Sequence, residues 1–253
     1  MRDRFLEKKR AGIPLATLTA ADYPTARVLD ECGLDLILVG DSLGMVELGY
    51  TDTTEVSLAE MLHHTRAVRR GVTRTPLAAD LPIHTYDTPE MAVATARHLV
   101  EAGAEAVKLE GGRSHVPQIA AILAAGIPVI GHIGMLPQSV RLEGGYRKKG
   151  KTDDQASGLR ADAVALDAAG VAAIVVEDVV ARVATEISRA IAVPTIGIGS
   201  GTGCDGQILV TADLIGSFPW FRPPFAEARA DVAGQIRAAA ESYRKAVLGQ
   251  DFH

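Results

Sequence analysis

Aromatic side chains are scarce: Phe, Trp and Tyr make up 4% of the 253 residues. The apolar 47% therefore rests on Ala, Val, Ile and Leu. Such a composition suits tightly packed layers of strand and helix better than a β-sandwich. Cysteine is nearly absent too. Cys32 and Cys204 give no disulfide framework, and a reducing compartment follows. No apolar run reaches the roughly 18 residues of a membrane span. The start, Met1-Arg2-Asp3-Arg4-Phe5, is charged where a secretory leader would be apolar. Basic charge is not in excess. The formal charge is -5, and basic runs are short, Arg147-Lys148-Lys149 with Lys151 nearby among them. That excludes a general nucleic-acid binder. The expectation is a soluble, cytoplasmic protein with neither nucleic acid nor membrane as partner.

What is present is alternation. Eight short apolar runs occur at 14–20, 34–40, 76–82, 105–111, 127–134, 172–178, 193–201 and 208–214. Amphipathic patterns at 22–32, 57–70, 88–103, 114–126, 156–170, 179–191 and 225–249 follow most of them. Ser57, Thr88 and Ser114 stand where helices should start, and Glu60 completes a capping box with Ser57. Gly103, Gly126 and Gly170 stand where helices should stop. Eight strand–helix units in this length predict an α/β fold, a (β/α)₈ TIM barrel, as one domain over residues 1–253. An open doubly wound sheet is the alternative, but no G-x-G-x-x-G opens its first helix. The longest irregular segments, 41–56 and 134–156, both follow strands and become active-face loops in a barrel.

In a barrel, catalytic groups lie at the C-terminal ends of strands. Asp41, Asp80, Lys108 with Glu110, His132 and Glu177 each end a different apolar run. Lys108 and Glu110 are two apart, so one strand face carries both charges. They fit either a structural ion pair or a polar cavity. Taken singly, Asp41 also fits a turn, His132 a packed core residue, and Glu177 a helix cap. Their common position at strand ends points to one site. Carboxylates without clustered His or Cys suit a hard cation, and Mg²⁺ takes a few carboxylate oxygens while keeping waters. Asp41, Asp80 and Glu110 could supply them. Such a metal can polarise a carbonyl and stabilise an enolate. Lys108 could neutralise a substrate carboxylate or the enolate oxygen, and Glu177 could act as general base. A second candidate is the loop 197-GIGSG-201 with Asp205-Gly206, which suits either phosphate or tight packing at the rim.

Several stretches then carry a resemblance: 38-LVGDSLGMVELGY-50, 63-HHTRAVRRG-71, 79-ADLP-82, 106-AVKLEGG-112, 131-GHIGMLPQSV-140, 144-GGYRKKGK-151, 196-IGIGSGTGCDGQILV-210 and 213-DLIG-216. Together they resemble the ketopantoate hydroxymethyltransferase family, within the phosphoenolpyruvate mutase and isocitrate lyase superfamily. The resemblance implies a (β/α)₈ barrel that moves a hydroxymethyl group from 5,10-methylenetetrahydrofolate to 3-methyl-2-oxobutanoate, giving 2-dehydropantoate for pantothenate biosynthesis. By motif it implies Asp41, Asp80 and Glu110 as Mg²⁺ ligands and Asp41, Ser42, Asp80 and Lys108 as ketoacid contacts. It implies Glu177 as the catalytic base and His132 as a site-lining residue. It also implies a homo-oligomer, commonly a decamer.

The chain departs from the family pattern at Ala21, across Thr51–Ser57, at His84, Leu136, Asp178 and Ser200. These departures bear on the exact ketoacid and one-carbon donor. Two other readings share the residues: a divergent lyase or aldolase acting on another 2-oxoacid through the same enolate, and a catalytically silent barrel that only binds. No Lys-Lys-Cys-Gly-His motif is present, which disfavours isocitrate lyase itself. The basic residues Arg147, Lys148 and Lys149 are candidates for the folate's glutamate tail.

Overall fold

A computed structural model describes residues 1–249. The chain opens on α1 (Arg2–Arg10), β1 (Leu15–Thr19), α2 (Tyr23–Asp30), β2 (Leu36–Val39) and the short α3 (Leu43–Val46). It continues through α4 (Leu58–Gly71), β3 (Leu77–Asp80), α5 (Pro89–Glu101), β4 (Ala106–Lys108) and α6 (Val116–Ala124). Then come β5 (Val129–Gly134), the short α7 (Val140–Glu143), α8 (Asp153–Ala169), β6 (Ala173–Glu177) and α9 (Ala181–Ala190). The last strands are β7 (Thr195–Ile198) and β8 (Gly206–Leu209). Consecutive strands pair in parallel and the sheet closes on itself, so the (β/α)₈ barrel stands. No helix among the described residues is long and apolar enough to cross a membrane.

Strand parity sorts the side chains into two cores. Leu36, Leu38, Ala78, Ala106, Ile130, Ala173, Val175 and Ile196 fill the barrel interior. Their strand neighbours Ile37, Val39, Leu77, Ala79, Val107, Val129, Ile174 and Val176 pack outward with Met61, Leu99, Ile119, Ile122 and Leu166 of the helices. Both faces are covered, as an all-parallel sheet requires. Side chains repeat every second residue along a strand. Advancing the interior set by that step reaches Asp80, Lys108, His132 and Glu177, and a further step from Lys108 reaches Glu110. The interior thus turns from apolar to charged at its C-terminal end.

The opposite end is closed by α1, which the strand and helix patterns of the sequence do not announce because Phe5 and Leu6 are its only buried residues. Phe5 is wholly buried and joins the interior cluster. Arg4 and Lys8, one turn apart, both reach the buried Asp35, at 3.1 and 2.5 Å. Lys9 reaches Asp205 at 2.9 Å. Its Asp3 in the first turn and Lys8, Lys9 and Arg10 in the last also complement the helix dipole.

Caps fall mostly where the sequence places them. Ser57 and Glu60 form the capping box, and Thr88 caps α5. Gly170 ends α8 in the left-handed conformation at φ 90°. Three expectations need correction. Ser114 caps nothing: it lies in a 3₁₀ turn, Arg113–His115, with its hydroxyl 3.1 Å from His115 Nδ1. The run 208–214 is not one strand. β8 ends at Leu209, and Thr211–Ile215 form α10, because Val-Thr-Ala-Asp-Leu-Ile is as apolar as a strand yet contains a helical turn. The last helix, α11 (Val232–Gly249), starts seven residues after the 225 boundary suggested by its pattern. Internal packing divides the chain into a unit over Met1–Ile208 and a second from Leu209, which carries α10 and α11.

A buried carboxylate fastens the turn into β3. Asp30, at the end of α2, accepts from the backbone N–H groups of Thr73, Arg74 and Thr75 and from the Thr73 hydroxyl. Burial alone would raise its pKa, but these donors together hold it well below the usual carboxylate range. A depressed folded pKa contributes stability that is present above the unfolded value of about 3.9 and is lost as pH falls below it. Asp30→Asn should therefore cost roughly 1–3 kcal/mol at neutral pH. In urea unfolding the gap to wild type should narrow at pH 3. A gap that is equal at both pH values would refute the role.

Candidate active site

Asp41, Asp80, Lys108, Glu110 and His132 meet in the interior, each 1–5% exposed. Lys108 Nζ lies 2.9 Å from Asp80 Oδ2. That oxygen also accepts from the Asp41 backbone N–H at 3.2 Å. β3 and β4 pair with Asp80 opposite Lys108, so the contact follows from register. A Cβ on Gly40 would sit 3.2 Å from Ser42 Oγ and 3.6 Å from Asp80 Oδ2, which places both side chains around the end of β2. His132 stands between two carboxylates, with Nδ1 3.5 Å from Glu110 Oε1 and Nε2 3.2 Å from Glu177 Oε2. Glu177 is the acid of the set that reaches toward the mouth; its side chain is 14% exposed. All seven residues singled out from sequence are thus at one end of one barrel.

The electrostatics are unbalanced. Three carboxylates are buried beside one ammonium and one imidazole. Burial, then the charges of Asp80 and Glu110, push Asp41 well above the usual carboxylate range. Burial raises Asp80 as well, against the pull of Lys108. Glu110 is held below its ordinary value: burial opposes this, but His132, Lys108 and the Gln138 N–H outweigh it. Burial likewise opposes the charged form of Lys108, yet Asp80, Glu110 and Asp41 together raise it. His132 is disfavoured as a cation by burial, but Glu110 and Glu177 lift it to about 9. Two carboxylate oxygens, Asp80 Oδ1 and Glu110 Oε1, are buried without a hydrogen-bond partner. Among the described residues no three acidic, His or Cys side chains form a finished metal cage. Surplus buried charge and bare carboxylate oxygens fit a hard cation that brings its own waters and takes further oxygens from substrate.

The family model of ketopantoate hydroxymethyltransferase matches residues 2–253. The chain belongs to that family. Enzymes named 3-methyl-2-oxobutanoate hydroxymethyltransferase are similar to it over most of its length. That of Acetivibrio thermocellus is 50% identical over 94% of this chain and 85% of its own. That of Thermosynechococcus vestitus is 49% identical over 97% and 95%. Among solved structures, phosphoenolpyruvate phosphomutase of Streptomyces platensis subsp. rosaceus matches with a TM-score of 0.64 at 14% identity, covering 97% of this chain and 88% of that one. A phosphonopyruvate hydrolase in complex with oxalate and Mg²⁺ matches with a TM-score of 0.62 at 14% identity, covering 98% and 85%. These neighbours belong to the phosphoenolpyruvate mutase and isocitrate lyase superfamily, and at such identity they speak to the fold.

Several departures of this ketopantoate hydroxymethyltransferase family member have local explanations. Asp178, beside Glu177, adopts φ 44° and turns its carboxylate to Lys148 at 2.5 Å, away from Glu177's partner His132. Ser200 is wholly buried; its hydroxyl accepts from the Val179 N–H at 3.0 Å and donates to the Val176 carbonyl at 2.8 Å, bracing the turn after β6. Within the altered 51–57 segment, Asp52 and Glu55 both receive Arg141, at 2.7 and 3.0 Å. His84 is exposed, 3.8 Å from Asp87. In the 197–201 loop a Cβ on Gly201 would sit 2.7 Å from that of Ala181, and Gly199 takes a left-handed φ of 65°. Asp205 accepts from the N–H and hydroxyl of Thr195, at the start of β7. The basic cluster is partly engaged, Lys148 by Asp178 and the Gly199 carbonyl, Lys149 by Glu143.

Three neighbours of the site escape the reading of single charges. Gln138 and Tyr86 are buried uncharged groups bonded to each other. Tyr146 is half-exposed, and burial with the charges of Asp52, Glu177, Asp41 and Glu110 pushes its phenol up to about 12. The quoted motifs 131–140 and 144–151 contain Gln138 and Tyr146, but nothing in residue type separates them from ordinary loop residues. One consequence follows from the charge balance. Removing the Lys108 ammonium leaves the carboxylates uncompensated. Lys108→Met should destabilise the protein by about 3–5 kcal/mol. An unchanged denaturant midpoint would show that the pair contributes nothing.

Proposed function

We propose that the chain transfers a hydroxymethyl group from 5,10-methylenetetrahydrofolate to 3-methyl-2-oxobutanoate, giving 2-dehydropantoate. The activity rests on family membership and close to 50% identity over nearly the whole chain. The observation that carries the chemistry is the set of charged residues at the C-terminal mouth of the barrel.

Asp41 and Asp80 would hold Mg²⁺, with Glu110 as a third acidic group beside it. When bound, Mg²⁺ supplies a Lewis acid that draws electrons from the ketoacid carbonyl. Lys108 and the Ser42 hydroxyl contact the ketoacid, and Lys108 offsets negative charge as the C3–H bond breaks. Glu177 Oε2 takes the C3 proton. His132 Nε2 lies 3.2 Å from that oxygen, and their ion pair would aim the carboxylate. The C3 electron pair then bonds to the one-carbon unit of the folate. One C–N bond of that unit opens as the C–C bond forms; water then replaces the second nitrogen as hydroxyl, and the C3 proton and one water proton end on the two freed nitrogens of tetrahydrofolate. The buried apolar walls below the charged ring keep bulk water from the carbanion. The family resemblance supports a homo-oligomer, commonly a decamer, and the two free cysteines suit a reducing cytosol.

Proton exchange tests the reading without folate. The C3 proton of 3-methyl-2-oxobutanoate should exchange in D₂O, followed by NMR, with wild type and Mg²⁺. Glu177→Gln should slow that exchange by at least about 100-fold, the scale of a lost general base. Equal exchange in the variant would remove Glu177 from the role. Adding methylenetetrahydrofolate should then yield 2-dehydropantoate in the wild type.

A further inference from the structure

We propose that Gln138 is a positioning residue that sets Asp41 for the cation and the ketoacid, and that Tyr86 locks the amide that does so. The inference rests on the reading of Asp41 as a cation ligand. Gln138 lies in the 3₁₀ turn Pro137–Ser139 after β5 and is 4% exposed. Every hydrogen-bonding group of its side chain is engaged. Nε2 donates to Asp41 Oδ2 at 2.7 Å and to the Leu81 carbonyl at 2.9 Å. Oε1 accepts from the Tyr86 hydroxyl at 2.5 Å. Its backbone N–H donates to Glu110 Oε2 at 3.0 Å. One residue therefore grips the ends of β2, β3 and β4 at once.

The amide cannot be turned round. The Leu81 carbonyl only accepts, so the NH₂ must face it, and the same NH₂ then faces Asp41. Tyr86 completes the lock from the other side. With the NH₂ turned to Leu81, Oε1 faces the Tyr86 hydroxyl, which donates to it. Asp41 sits among like charges that would turn its carboxylate away. A neutral donor holds one oxygen in place without neutralising it and leaves the other oxygen of Asp41 for a ligand. A lysine here would cancel the charge that the cation needs. Asp41 is the one charged group that the side chain's hydrogen bonds reach, so removing the amide should bear on cation binding through Asp41.

The test uses the full chain with Mg²⁺. Calorimetry gives Mg²⁺ affinity, steady-state kinetics give KM for the ketoacid and kcat, and thermal melting checks folding. Gln138→Leu, Tyr86→Phe and Asp41→Asn run beside wild type. Gln138→Leu should stay folded, bind Mg²⁺ about 10- to 100-fold more weakly, the range for partners that orient metal ligands, and raise KM more than it lowers kcat. Tyr86→Phe keeps the ring and frees the amide, so it should shift both in the same direction by a smaller factor. A folded Gln138→Leu with wild-type Mg²⁺ affinity and KM would overturn the proposal. If Gln138→Leu does not fold, Tyr86→Phe decides by the same criteria. Asp41→Asn separates the two ideas. If it keeps wild-type Mg²⁺ affinity, the cation reading fails. If it loses affinity while Gln138→Leu does not, the positioning role alone fails.

Discussion

Buried negative charge is the constraint on which this structure turns. Taking even one carboxylate out of water costs several kcal/mol unless it is paired. The barrel mouth buries three, and Lys108 and His132 cannot answer all of them. The push on Asp41 and the bare oxygens of Asp80 and Glu110 are the visible signs of that imbalance. A fold selected for stability alone would place apolar residues here. The proposed function would account for the departure, because surplus charge of one sign would attract a cation together with its substrate.

The barrel makes such a cluster possible through parity and register. Alternate residues of β3, β4, β5 and β6 run from an apolar interior to Asp80, Lys108, His132 and Glu177. Pairing aligns Asp80 with Lys108, while Glu177 pairs with Gly134, two residues beyond His132, so the charges of β5 and β6 sit one interior step apart. The apolar layers below, closed by Phe5 of α1, supply a rigid floor. The loops above supply neutral hydrogen-bonding groups, Gln138 to the Asp41 carboxylate and Ser200 to the backbone of the turn that follows Glu177.

Much of this was legible in the sequence because it depends on period and position. Eight apolar runs alternating with helical patterns point to the barrel, and charges at the same end of five of them point to one site. Lys108 and Glu110, two apart, already require one charged face. What was hidden depends on partners distant in sequence. Gln138 matters because of Asp41, 97 residues away, and no local signal marks it. The helix α1 carries only two buried apolar residues, too few for a periodic pattern. The 208–214 run misleads because an apolar strand and a short apolar helix share composition, and only the closure of the barrel at Leu209 ends the strand.

The most direct test of the central claim is the unfolding free energy as a function of Mg²⁺ concentration at constant ionic strength. If the buried carboxylates form a cation site, stability rises with Mg²⁺ by mass action, by about 2.7 kcal/mol at a hundredfold excess over Kd. Asp80→Asn abolishes that rise. A wild-type curve that stays flat across the titration would contradict the account, since the surplus charge would then serve no cation.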